Sequence, residues 1–168
     1  MDFQKLLGSR LLFVDGGLGT MLQSMGLTGG QAPGAWNLAH PDKVLKVHEA
    51  YLAAGCDIIT ANTFGVDELH FGEQAVQIVQ AGVSLVRKAV KKAGRGIVAM
   101  DLGPTGKLLR PFGDLPFEAA VKLFGDMAEA GAQAGADVIF IETVSDSYEI
   151  KAAVLGARKE RIFPSWSP

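Results

Sequence analysis

The chain has 168 residues, 48% of them hydrophobic and 20% charged, and a formal net charge of −2. Its mean hydropathy is +0.21 and its isoelectric point is near 5.9. That is room for one domain with a real core, and it excludes intrinsic disorder and a basic footprint for nucleic acid or an anionic membrane. The single cysteine, Cys56, excludes an intramolecular disulfide framework and a multi-cysteine metal cage built within this chain.

The opening stretch, Met1 to Gly17, carries Asp2, Lys5 and Arg10, and its longest apolar run is Leu11–Val14. A signal peptide needs roughly 7–15 apolar residues and a membrane-spanning helix about 18, so neither is expected. The expectation is a cytoplasmic protein, with which one free thiol agrees.

Four short apolar runs follow one another: Leu11–Val14, Asp57–Thr60, Gly96–Met100 and Asp137–Ile141. They do not alternate with polar residues, which predicts strands buried on both faces, as in a parallel sheet. Helical stripes lie between and after them. The first carries Val44, Val47, His48, Tyr51 and Leu52 behind Pro41 and Asp42. The second carries Val76, Val79, Val83, Val86 and Val90, with Gly82 on the same flank as a close-contact candidate. The third runs from Phe117 through Ala120, Val121, Phe124, Met127 and Ala128, and the fourth carries Ile150, Ala153, Val154 and Ala157. Gly55, Gly94 and Gly135 follow the first three helices, where left-handed caps are expected.

The order is therefore β-α-β-α-β-α-β-α. Strands start near residues 11, 57, 97 and 138, a period of about 40 residues, the size of one βα unit with its loop. Residues 54–63 read AGCDIITANT and residues 134–143 read AGADVIFIET, a repeat of A-G-x-D-[IV]-I-x-x-x-T at an offset of 80. Reuse of one helix cap, turn and strand explains the repeat locally. A (β/α)₈ barrel of similar units explains it globally.

Each run ends in polar residues: Asp15 before Gly16 and Gly17, then Asn62 and Thr63, then Asp101, then Glu142 and Thr143. In parallel α/β folds ligands bind beyond the carboxyl ends of the strands, so these side chains are expected at one mouth. The run Asp15-Gly16-Gly17-Leu18-Gly19-Thr20 lacks the third glycine of a dinucleotide fingerprint, because position 22 is Leu. It reads either as a tight turn needing positive φ or as backbone N–H groups facing a carboxylate. Residues 103–107, Gly-Pro-Thr-Gly-Lys, fail the P-loop spacing, and His48-Glu49 is not a zinc motif because position 52 is Leu. His48 falls on the apolar stripe, so a packed or hydrogen-bonded histidine is expected; His40 and His70 fall in loops. Arg87, Lys88, Lys91, Lys92 and Arg95 crowd a helix C-terminus and suit its dipole. Cys56 precedes the second strand at the end opposite the mouth and reads as a small buried residue.

Asp15-Gly16-Gly17-Leu18-Gly19-Thr20, WNLAHPDKVLKVHEAYLAAGCDIITANTFG at 36–65, MDLGPTGKL at 100–108 and DVIFIETVSDSYEIKAAVLGAR at 137–158 together resemble the homocysteine S-methyltransferases. The resemblance is nearest to the N-terminal homocysteine-binding module of cobalamin-dependent methionine synthase, and covers roughly residues 6 to 158. It implies a (β/α)₈ TIM barrel with zinc at its C-terminal mouth and homocysteine bound to zinc through sulfur, its thiolate accepting a methyl group to give methionine. Cobalamin would belong to modules outside this chain. The resemblance matches Asp15 and Glu142 to acids near the ammonium of homocysteine, with Gly16, Gly17, Asn62 and Thr63 as neighbours. Asp101 is the further member of this set, and it also reads as a turn cap before Gly103-Pro104.

The zinc ligands that the resemblance implies are three cysteines in the second half of the barrel. This chain has none there, and Cys56 matches none of them. The expectation is the first four βα units of a barrel over residues 1–159, followed by an irregular tail at 160–168, which is short and broken by Pro164 and Pro168. A truncated or frameshifted gene product, or a designed cut, follows from that reading. So do an absence of zinc-dependent methyl transfer by this chain alone and self-association, or pairing with a complementary half barrel, through open sheet edges. The second reading is a non-catalytic amino-acid-binding or remnant half-barrel domain.

Overall fold

The computed structural model describes residues 3–158. A short helix α1 (Phe3–Leu6) is followed by α2 (Leu18–Ser24), α3 (Trp36–Ala39) and α4 (Pro41–Ala54). Then come β1 (Ile58–Thr60), α5 (Glu68–Phe71), α6 (Ala75–Ala93), β2 (Ile97–Leu102), α7 (Phe117–Gln133), β3 (Val138–Ile141) and α8 (Ser147–Arg158). The three strands form a parallel sheet in the order β1-β2-β3, with Ile59 opposite Val98 and Met100 opposite Ile139. This is an α/β fold of βα units, as the alternating pattern predicts.

The period-2 geometry of the strands gives the sheet two unlike faces. Ile59, Ala61, Val98, Met100, Leu102 and Ile139 point to the helical layer, where they meet Val79, Val83 and Val86 of α6 and Phe124 and Met127 of α7. Ile58, Ile97, Ala99 and Val138 point the other way, packed with Phe3 and Leu6 of α1 and with Leu12 and Phe140. The small apolar cluster beneath α1 fills one end of this second face. The polar strand ends lie at the other end.

The sequence repeat has a physical cause. At the end of α4, Gly55 adopts φ 108° while its N–H bonds Leu52 O and the N–H of Cys56 bonds Tyr51 O. After α7, Gly135 adopts φ 96° while its N–H bonds Ala132 O and the N–H of Ala136 bonds Gly131 O. Both are six-to-one and five-to-two closures in which only glycine takes the left-handed position without strain. The next residue, Asp57 or Asp137, then ties its strand to the preceding one. Asp57 accepts from Phe13 N at 3.1 Å and Asp137 accepts from Val98 N at 2.9 Å. Each carboxylate also holds an arginine: Arg10 donates to Asp57 at 2.7 Å, and Arg87 donates to Asp137 at 3.0 Å. The basic cluster thus does more than face solvent. Arg87 also donates to Gly135 O, Arg95 to Leu52 O and Cys56 O, and Lys92 to Glu49.

Four expectations are corrected or lie outside the structure. Leu11–Val14 is not a buried strand: Val14 makes a single bridge to Ile58, and Leu11, Phe13 and Val14 are exposed. It pairs on one side only, so it has neither a full ladder nor cover on both faces. The glycine run does not need positive φ, since Gly16, Gly17 and Gly19 are absent from the left-handed region. The run instead approaches neighbouring side chains closely: a Cβ on Gly17 would lie 2.9 Å from Thr20 Oγ1, and one on Gly16 3.2 Å from the Tyr51 hydroxyl. Cys56 is half-buried rather than buried. Residues 160–168 lie outside the described residues.

Candidate active site

Beyond the carboxyl ends of the strands lies a cavity of about 720 Å³. Asp15, Gly16, Gly17, Asn62, Asp101 and Glu142 all line it, together with Thr60, Phe64 and Phe140. Six of the seven positions that the resemblance sets around the substrate therefore meet in one place, and Thr143 joins them. Thr63 does not reach the cavity. It is buried, donates to Asp101 O at 2.8 Å and accepts from Asp101 N at 3.1 Å, so it fixes the end of β2 instead.

Asp15 is held by β1. Thr60 donates through its backbone N to Oδ2 at 3.0 Å and through its hydroxyl to Oδ1 at 2.9 Å. Burial raises the Asp15 carboxyl to about 6, against the opposing pull of the two Thr60 donors and with a smaller push from Glu142. Thr60 carries no site signal of its own, but it lies two positions before Asn62 and so shares its face of the strand.

Asn62 is clamped rather than free. Its amide donates to Pro33 O at 2.7 Å and to Asn37 Oδ1 at 2.9 Å, while Asn37 donates back to Asn62 O at 2.8 Å and to Ile78 O at 3.1 Å. Gly82 makes room for this pair, because a Cβ there would lie 2.6 Å from Asn37 Nδ2. That explains the glycine in the stripe of α6. The network fixes the start of the β1–α5 loop against the cavity wall.

Asp101 is not a turn cap. β2 runs on to Leu102, so Asp101 stands inside the strand on the cavity side, 5% exposed. Its Oδ1 is buried and has no hydrogen-bond partner. Burial, and then the charge and hydrogen bond of Glu142, push its carboxyl up to about 8, with Asp15 adding to the rise. Glu142 and Thr143 are exposed at the rim, and Thr143 takes a left-handed φ of 57° just after β3. No Lys, Arg or His is among the residues lining this cavity. The wall thus carries three acids, with Phe64 and Phe140 as its aromatic members.

The loop after β2 is anchored from behind by a pair that the strand-end pattern does not reveal. Thr105, fully buried, donates from its hydroxyl to Glu149 Oε1 at 2.6 Å and from its backbone N at 2.8 Å. Glu149 stands three residues into α8 after Asp146, where a capping-box carboxylate would turn back to its own helix end. It reaches across to the loop instead.

A zinc ion does not fit the residues described. No group of three His, Cys, Asp or Glu side chains is placed to hold a metal. Cys56 sits before β1, at the end of the sheet opposite the cavity. His48 is fully buried in α4 with both ring nitrogens unpartnered, and burial lowers it to about 4. It is a packed histidine, without the hydrogen bond that was its alternative.

A parallel α/β sheet with an acid-lined cavity beyond its strand ends is the arrangement in which folds of βα units place their ligands. The chain matches the homocysteine S-methyltransferase family over residues 12–167 and belongs to that family. It is 29% identical over 94% of its length to methionine synthase of Mycobacterium tuberculosis (strain ATCC 25618 / H37Rv). It is 28% identical over 94% of its length to that of Mycobacterium leprae (strain TN). It spans 14% of the length of each. The metallated form of the homocysteine methyltransferase MmuM from Escherichia coli superposes with a TM-score of 0.79 at 24% identity, over 95% of this chain and 63% of that one. The oxidized form of MmuM gives the same TM-score at 25% identity, over 92% of this chain and 61% of that one.

Proposed function

We propose that the cavity binds the amino-acid end of homocysteine, and that these residues supply the substrate-holding half of a methyl transfer to its thiolate that yields methionine. The observation that carries this is the convergence of Asp15, Asp101 and Glu142 on one cavity with no basic side chain in its wall. An ammonium group is the natural counterion for such a wall. In this reading Asp15 and Glu142 face the ammonium. The backbone of Gly16 and Gly17 and the Asn62 amide, with Thr63 behind Asp101, shape the surroundings of the carboxylate. Phe64 and Phe140 flank the aliphatic stem.

The chemistry needs a thiolate, because the thiol is mostly protonated at neutral pH and a poor nucleophile. Zinc would supply that activation in the full-length family domain; the described residues gather no donor set for it. We further propose that the four βα units are half of an eight-unit barrel. The support is that β3 is paired on one side only among the described residues, and that Leu11, Phe13 and Val14 are exposed on the opposite edge. A purely amino-acid-binding role without chemistry remains the second reading, favoured by the absence of gathered metal donors among the described residues.

Equilibrium dialysis with labelled L-homocysteine tests the substrate reading. Homoserine, which keeps the amino-acid end and lacks sulfur, is expected to compete. 2-Mercaptoethanol, which has the thiol alone, is expected not to. The opposite pattern refutes recognition through the amino-acid end.

A further inference from the structure

The acids of the cavity are not equivalent. Asp15 has two donors from Thr60 and stands ready as an anion near neutral pH. Asp101 has no donor to its buried Oδ1, is 95% removed from solvent, and lines the cavity together with Glu142 and Asp15. The other titratable neighbour is Tyr51, whose hydroxyl reaches Gly17 O at 3.4 Å and adds no positive charge. From the end of β1 and the two residues after it, Thr60, Ala61 and Asn62 line this space, none of them charged. Asp101, buried beside two further carboxyl groups with no cation among the lining residues, is the acid least able to hold a charge there.

We propose that in the empty cavity Asp101 keeps a proton, and that this proton leaves when the ammonium group of an α-amino acid enters. Asp101 is then the residue that couples ligand charge to proton release and so selects the cationic amino group over neutral isosteres. The ammonium brings one positive charge, the carboxyl loses one proton to solvent, and the buried Oδ1 gains the donor it lacks. This inference rests on the amino-acid reading of the cavity and extends it to a residue whose role that reading leaves open.

Calorimetric titration with L-methionine isolates the effect, because methionine has no titratable sulfur and its ammonium stays protonated at pH 7. Heats are compared in phosphate and Tris, whose ionisation enthalpies differ. About one proton released per methionine is expected, with affinity rising close to tenfold between pH 6.5 and 7.5. Asp101→Asn is expected to bring proton release close to zero and flatten that pH dependence, its fold checked by circular dichroism. If that variant does not fold, the pH dependence of the native chain decides alone. Methionine binding without buffer dependence overturns the inference and leaves the amino-acid reading intact, and so does unchanged proton release in a folded Asp101→Asn. A chain that binds neither methionine nor homocysteine overturns the amino-acid reading and the inference with it.

Discussion

At the scale of single residues, the cavity is maintained by hydrogen bonds that leave few buried groups idle. The Thr105–Glu149 pair is the clearest. Thr105→Val keeps the shape of the side chain but removes the hydroxyl donor from a carboxylate that is 5% exposed. It is expected to lower stability by about 1–3 kcal/mol, read from urea unfolding, because Glu149 is left short of one partner. His48 predicts a pH dependence. Its folded value near 4 lies below the ordinary 6.5, so between these values the unfolded chain binds more protons than the folded one. Stability is therefore complete above about pH 6.5 and falls as pH drops toward 4, by about 3 kcal/mol from this residue. His48→Leu is expected to remove that part of the slope, measured as the difference between the two chains in denaturant midpoints across the range. At this scale the strand-end acids were legible, because a polar residue after an apolar run is conspicuous. Thr60, Asn37 and Glu149 were not. Their partners lie 45, 25 and 44 residues away in sequence, and such pairings exist only once the fold has brought the segments together.

At the scale of elements, β2, β3 and the four long helices matched their periodicity wherever they are packed against a neighbour, but Val76 and Ile150, expected on the buried stripes, are exposed in the first turns of α6 and α8. The helix α8 meets α7 along a face of small residues, with Ala152, Ala153, Gly156 and Ala157 buried. A Cβ on Gly156 would lie 2.5 Å from Val121 O and 2.7 Å from Gly125 N. Backbone atoms cannot move aside as a side-chain tip can, so Gly156→Ala is expected to separate the helices and cost about 1–3 kcal/mol. Gly29→Ala, where an added Cβ meets nothing within 4 Å, is the matched control and is expected to melt within a degree or two of the parent. The edge segment Leu11–Val14 was misread because composition reports apolar character, not whether a second strand is available to pair. The repeated A-G-x-D was read correctly as a local unit. Its reason, a carboxylate bonding back to the preceding strand at Asp57 and Asp137, required the register between strands.

At the scale of the whole molecule, the sheet is one-sided in its pairing. The described residues expose Leu11 at 73% and Phe13 at 58% along one edge while β3 forms the other. Unpaired edges with apolar side chains favour association. Sedimentation velocity of the chain is expected to show concentration-dependent association that Phe13→Lys reduces. A monodisperse monomer at all concentrations would remove the support for a half barrel in need of a complement. No helix among the described residues is long and apolar enough to cross a membrane. The central claim, an amino-acid site built from the carboxyl ends of the strands, is tested most directly by calorimetric titration of L-homocysteine into the native chain and Glu142→Ala, with zinc and with a chelator. The account predicts saturable one-to-one binding, weakened about tenfold or more by Glu142→Ala and unchanged by the chelator. Absence of binding, or equal affinity of the two chains, would contradict it.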